Sequence, residues 1–122
     1  MEKDGTAMAK SKQFAVRIVG LYKYLSDKKE FVLAKQILRC GTSIGANLAE
    51  AECAISKKDF LAKVYISLKE CSETIFWLDL LYETSYITEN EYTGIKKDCE
   101  ILRRMLSATT KTLTKELGKK TE

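Results

Sequence analysis

Apolar residues recur along this chain with the period of a helix, and they do so four times. Phe14, Ile18, Leu21 and Leu25 follow 4,3,4 spacing, which at 3.6 residues per turn holds them on one stripe and predicts a first helix over about Lys10 to Ser26. Residues Met1 to Ala9 are expected to fray. A polar break at Ser26, Asp27 and Lys28 leads into a second helix, about Glu30 to Ala54, whose seam of Ala34, Ile37, Gly41, Ile44, Leu48 and Ala51 keeps 3,4,3,4,3 spacing. Ser56 followed by Asp59 reads as a capping box with Asp in place of Glu, opening a third helix over about Lys57 to Ser85. Thr88 and Glu91 repeat that signature before a fourth helix, about Glu89 to Leu117, with Tyr92, Ile95, Cys99, Leu102, Leu106, Thr109 and Leu113 as its seam and Gly118 as its expected stop. Connections this short leave one arrangement, an all-α, antiparallel up-down-up-down four-helix bundle spanning residues 10–118, with flexible ends at 1–9 and 119–122.

The second helix has an unusual polar side. Gln36, Arg39, Ser43, Asn47 and Glu50 share a narrow arc, whereas a solvent face normally carries Lys and Glu. Gly41 and Gly45 each cost about 1 kcal/mol against Ala in mid-helix. Close approach of another helix to Gly41, Gly45 and Ala49 is the simplest compensation, and hydrogen bonding of the polar stripe is the next. If helices two and three turn near Ser56, facing residues have numbers that sum to about 112, which sets Arg39 against Glu73 and Ser43 near Glu70. Arg39, Ser43, Asn47, Glu50, Glu70 and Glu73 then form one polar network that fixes helix register or partner geometry; a ligand or partner site is the alternative.

The third helix carries two apolar seams. Phe60, Val64, Ser67, Cys71, Ile75, Leu78 and Tyr82 make the first; Ile66, Glu70, Glu73, Trp77 and Leu80 make a second, turned well away from it. One bundle core needs only one. Ile66, Trp77 and Leu80 are therefore expected at a subunit interface, with a wide intramolecular face as the alternative.

Composition narrows the chemistry. The chain has 122 residues, enough for one domain, with no proline, 45% apolar and 31% charged residues. Histidine is absent and the four cysteines lack CxxC spacing, so no zinc site, no di-iron Glu-x-x-His pair and no other metal or cofactor is expected. Buried, reduced thiols in a cytoplasmic protein are the expected state of all four cysteines. Ser43 has no credible base beside it, so neither an enzymatic activity nor a small-molecule substrate is expected. No stretch approaches 18 apolar residues and the N-terminus does not resemble a signal peptide, so no membrane association is expected.

Net charge is +4 and concentrates in the first and last helices. Lys96, Lys97, Arg103, Arg104, Lys111 and Lys115 fall within an arc of about 120° on the fourth, interrupted by Glu100. This is either a solvated face or a surface for RNA or DNA, strengthened if several copies bring their stripes together. Lys12, Lys23, Lys28 and Lys29 extend it. No aromatic residue interrupts the stripe, so base stacking has no platform there and weak sequence preference is expected.

Arg17, Gln36, Arg39, Ser43, Ile44, Asn47, Ala49, Glu50, Ser56, Phe60, Glu70, Glu73 and Trp77, with the run SIGANLAEA, carry a resemblance. Over roughly Phe14 to Met105 the chain resembles the bacterial four helix bundle protein family, founded on proteins encoded in intervening sequences of 23S ribosomal RNA genes and related to accessory proteins of diversity-generating retroelements. It departs slightly at Gly45, where relatives often carry proline or another residue, and at Cys40 and Cys53. The resemblance implies a four-helix subunit, a ring-like homopentamer in several members, no known enzymatic activity, and nucleic-acid association in some branches. The expectation is a non-enzymatic, self-associating bundle that binds RNA or DNA through basic outer helices; a protein scaffold or adaptor is the alternative.

Overall fold

The computed structural model describes residues 5–121. Four helices follow in order: α1 (Ala7–Asp27), α2 (Phe31–Ala51), α3 (Lys57–Glu83) and α4 (Glu89–Thr121). Each start is made by a side chain that takes up a free backbone N–H. The Thr6 hydroxyl accepts from the Ala9 amide at 3.1 Å, the Glu30 carboxylate from Leu33 at 2.9 Å, and the Ser56 hydroxyl from Asp59 at 3.0 Å. Ahead of α4 the capping box is reciprocal, with Glu91 N–H donating to Thr88 Oγ1 and Thr88 N–H donating to Glu91 Oε1, both at 3.2 Å.

The helix stops differ from expectation. α1 and α3 both end in Schellman turns, with Lys29 (φ 65°) and Ser85 (φ 67°) in the left-handed conformation that glycine usually takes. Glu30 N–H reaches Leu25 C=O at 3.0 Å in the first, and Tyr86 N–H reaches Leu81 C=O at 2.9 Å in the second. Gly118 does not stop α4, which continues to Thr121. α2 ends at Ala51, three residues short of Ala54. α1 begins at Ala7, before Lys10, because Thr6 caps it, and Ala9 is already buried. The rest of the expected frayed segment, residues 1–4, lies outside the described residues.

Burial follows the seams. Phe14, Ile18 and Leu25 of α1, Ala34, Ile37, Ile44 and Leu48 of α2, Val64, Cys71 and Leu78 of α3, and Ile95, Cys99, Leu102 and Leu106 of α4 form one core. Each helix packs on its neighbours in sequence, and α1 meets α4 with the thinnest contact, leaving shallow grooves along that line. There Arg17 bridges to Asp98 at 2.7 Å. The close approach expected at the α2 glycines is made by α1. A Cβ on Gly41 would lie 2.8 Å from Ile18 Cγ1, and one on Gly45 would lie 3.2 Å from Ser11 Oγ. Ala49, expected to share that contact, is exposed instead.

Candidate functional site

Two faces of the bundle carry the candidate residues. The first lies where α2 and α3 meet on the outside. Arg39 Nη1 donates to Glu70 Oε2 at 3.4 Å, and its Nη2 donates to Glu73 Oε2. The same Glu73 oxygen accepts from the Trp77 indole N–H at 3.1 Å, so guanidinium, carboxylate and indole are locked together. The network is smaller than the six residues expected. Ser43 turns back to donate to the Arg39 carbonyl at 2.6 Å, and Asn47 Nδ2 donates to the Ser43 carbonyl at 2.8 Å. Short polar side chains in a helix reach the carbonyl four residues back more easily than a neighbouring helix. Glu50 pairs separately with Lys63 at 3.0 Å. The Arg39 side chain is 50% exposed, which makes this a surface cluster and not a buried one. Glu70 is the more enclosed member. Burial raises its carboxyl above the ordinary value of 4.5, Arg39 opposes that, and Glu73 adds to it.

Around this cluster the outer side of α3 leaves apolar side chains open to solvent alongside Lys69 and Ser72. Ile66 is 40% exposed and Phe76 is 58% exposed, with Trp77 and Leu80 half-buried beside them. Phe76 meets the Trp77 indole edge to face at 5.2 Å between centroids. Sequence reasoning passed over Phe76, an exposed ring on this side of α3, because the second seam steps from Glu73 to Trp77. Stepping from Glu73 to Phe76 and then Leu80 keeps 3,4 spacing equally well and points more squarely outward.

The second face is the outside of α4. Lys97, Arg103, Arg104, Lys111 and Lys115 are exposed, as expected. Lys96 departs from the group: its ammonium donates to Asp79 at 3.0 Å and to the Tyr92 hydroxyl at 2.8 Å, tying α4 to α3. Those bonds, Tyr92 first, push its pKa further up. Tyr92 in turn donates to Asp79 at 2.6 Å and stacks on Tyr82 with centroids 4.4 Å apart. Lys96 is thus a structural link. No aromatic interrupts the stripe on α4 itself, but α3 brings one beside it, so the expected lack of a stacking platform does not extend to the neighbouring helix. Tyr65 of α3 is 44% exposed and lines an open cleft with Lys111, Thr112, Thr114 and Lys115 of α4. A wheel drawn for one helix does not show the ring that a neighbouring helix contributes.

The cysteines divide. Cys40, Cys71 and Cys99 are buried, and Cys53 is exposed, against the expectation for all four. Burial pushes the Cys40 thiol up to about 11. The Cys99 thiol is also raised, first by its hydrogen bond with Cys71 and then by burial. Protonated, enclosed thiols of this kind are poor nucleophiles and poor ligands. No group of three or more Cys, Asp or Glu placed to hold a metal ion occurs among the described residues. No helix among them is long and apolar enough to cross a membrane.

Against known proteins, the architecture and sequence agree with one group. A crystal structure from Bacteroides thetaiotaomicron, of a protein with unknown function from the S23 ribosomal protein family, superposes with a TM-score of 0.85 at 51% identity, covering 87% of this chain and 99% of that one. A search of curated proteins finds no match. The family model for the 23S rRNA-intervening sequence protein matches residues 3–108, and the chain therefore belongs to the 23S rRNA-intervening sequence protein family.

Proposed function

We propose that this chain is the non-enzymatic subunit of a homo-oligomer that docks through the outer α2–α3 face and turns the basic face of α4 toward the phosphate backbone of RNA or DNA. The observation that carries the nucleic-acid reading is the clustering, along one side of α4, of exposed cations that are unpaired among the described residues. Arg17, Arg39, Lys57, Lys63 and Lys96 each have a carboxylate within 4.0 Å. Lys97, Arg103, Arg104, Lys111 and Lys115 have none among the described residues, yet they crowd one side of one helix. Cations kept together without partners repel one another and are relieved by an external anion with several charges. Self-association multiplies that effect, because each copy adds phosphate contacts. It also covers Ile66, Phe76 and Trp77, which water solvates poorly. The family's name, taken from intervening sequences of 23S rRNA genes, points to RNA as the first ligand to try. A pentameric ring is the stoichiometry that the family resemblance favours.

Two measurements test this. Light scattering on the eluting peak should give a mass several times 13.9 kDa for the wild type and a lower mass for Trp77→Ala with helicity retained. Binding of labelled structured RNA should fall steeply with salt, and a double Arg104→Gln, Lys111→Gln variant should bind more weakly with a shallower salt slope, by roughly one unit per lost phosphate contact. Binding equal to that of a charge-matched control protein rejects the nucleic-acid reading. A protein partner that survives nuclease treatment of a lysate would favour the scaffold alternative.

A further inference from the structure

The outer line of α4 is made of Lys97, Arg104, Lys111 and Lys115, cations with no ring among them. At its C-terminal half that line runs beside α3, and the residue α3 presents there is Tyr65. Tyr65, Lys111, Thr112, Thr114 and Lys115 border an open cleft of about 390 Å³, within the size range of small-ligand sites. Its polar groups are free to act. Neither lysine has a carboxylate partner among the described residues, and Thr114, which donates to the Thr110 carbonyl at 2.7 Å, keeps its oxygen lone pairs for another donor. Lys111 and Lys115 are one helical turn apart, about 6 Å along the axis, so two negative groups in succession can be met without bending the ligand.

What distinguishes this cleft from the rest of the basic face is the ring. In a duplex the flat faces of the bases are stacked on one another, and only phosphates are offered to a cationic surface. A single strand offers both phosphates and free base faces, and an aromatic side chain between cations answers both at once. We propose that the Tyr65 cleft binds an unpaired nucleotide of single-stranded RNA or DNA, with the base stacked on the Tyr65 ring and the adjoining phosphates held by Lys111 and Lys115. The proposal rests on α4 being the phosphate-binding face and adds to it a preference for unpaired strands.

Fluorescence anisotropy with a labelled oligouridine of about a dozen nucleotides, and with an RNA duplex carrying the same label, tests it on the full chain in its native assembly. Wild type is expected to bind the single strand more tightly than the duplex at equal salt. Tyr65→Leu should weaken the single strand roughly tenfold or more and change duplex binding less than about twofold, while Tyr65→Phe, which keeps the ring, stays close to wild type. Lys111→Gln and Lys115→Gln should weaken both ligands and flatten the salt dependence. If Tyr65→Leu affects both RNAs alike, or neither, the stacking site is overturned while the phosphate face stands. If wild type binds neither RNA better than a charge-matched control, the phosphate face fails and the stacking site fails with it.

Discussion

At the scale of single residues, two glycines with the same helix propensity carry opposite expectations. A methyl group on Gly41 would sit 2.8 to 2.9 Å from three side-chain atoms of Ile18, which is fully buried and has nowhere to turn. Overpacking of that kind costs about 1–3 kcal/mol, against about 1 kcal/mol gained from replacing a mid-helix glycine. Gly41→Ala should therefore lower stability by up to about 2 kcal/mol in urea unfolding. Gly20 has nothing within 4 Å of the same position, and Gly20→Ala should raise stability by up to about 1 kcal/mol. Glu70 gives a pH dependence of definite sign. Its folded pKa is raised, so the native chain holds that proton more tightly than the unfolded chain does, and ionised Glu70 subtracts stability at neutral pH. The loss is relieved as pH falls through the folded pKa and is gone below the ordinary value of 4.5. Glu70→Gln should match or slightly exceed wild type at pH 7, within about 1 kcal/mol because the cluster is partly solvated, and the two should converge in denaturation curves below that pH. Arg39→Ala, with its guanidinium half in water, should cost less than about 1 kcal/mol in the isolated subunit.

Between elements, the α2–α3 hairpin is held by cross-helix contacts at three levels. Glu50 meets Lys63, the buried Ser67 hydroxyl donates to the Ile44 carbonyl at 2.7 Å, and Arg39 meets Glu73. Ser67→Ala leaves no large cavity and removes only the hydrogen bond, so it should cost about 1 kcal/mol, seen as a lower urea midpoint with unchanged slope. All three contacts lie within one residue of the antiparallel register that a turn near Ser56 dictates, which is why Arg39 and Glu73 were legible as a pair from sequence. Helix number, order and buried seams were legible for the same reason: a 3.6-residue period and short connections leave little freedom. Helix stops were less so, because Lys29 and Ser85 occupy left-handed positions without glycine while Gly118 continues a helix. Outside the Arg39–Glu73 pair, the candidate sites were legible only within one helix at a time. That Asp79 draws Lys96 out of the basic group, and that Tyr65 stands beside Lys111, depend on side chains from two helices meeting. Ser43 and Asn47 were misplaced in the network because bonding to their own backbone outcompetes a partner across the groove.

For the molecule as a whole, the size of the exposed apolar strip limits how copies can dock. α3 has 27 residues and is about 40 Å long; a strip about 10 Å wide along it, Lys69 and Ser72 included, offers at most about 400 Å², roughly half of what one partner commits to a standard interface. The outer face of α2 is the natural supplement. Val32 there is 73% exposed, and Ala46 and Ala49 are exposed and small enough to admit a neighbouring helix closely. On the proposed assembly, α2 and α3 therefore dock together, and Arg39 with Glu73 lies near the centre of the contact. An oligomer that binds native subunits only is stabilised by mass action, so its thermal midpoint rises with protein concentration. Wild type should show that rise across a hundredfold dilution series. Phe76→Lys should abolish it while leaving the dilute-limit midpoint nearly unchanged, because an exposed side chain contributes little to the subunit's own core. Val32→Lys should do the same if α2 shares the interface. A concentration dependence that survives Phe76→Lys but not Val32→Lys would move the contact off α3 and onto α2 with another neighbour. One that survives both would leave this face to solvent and remove the structural basis proposed for the ring.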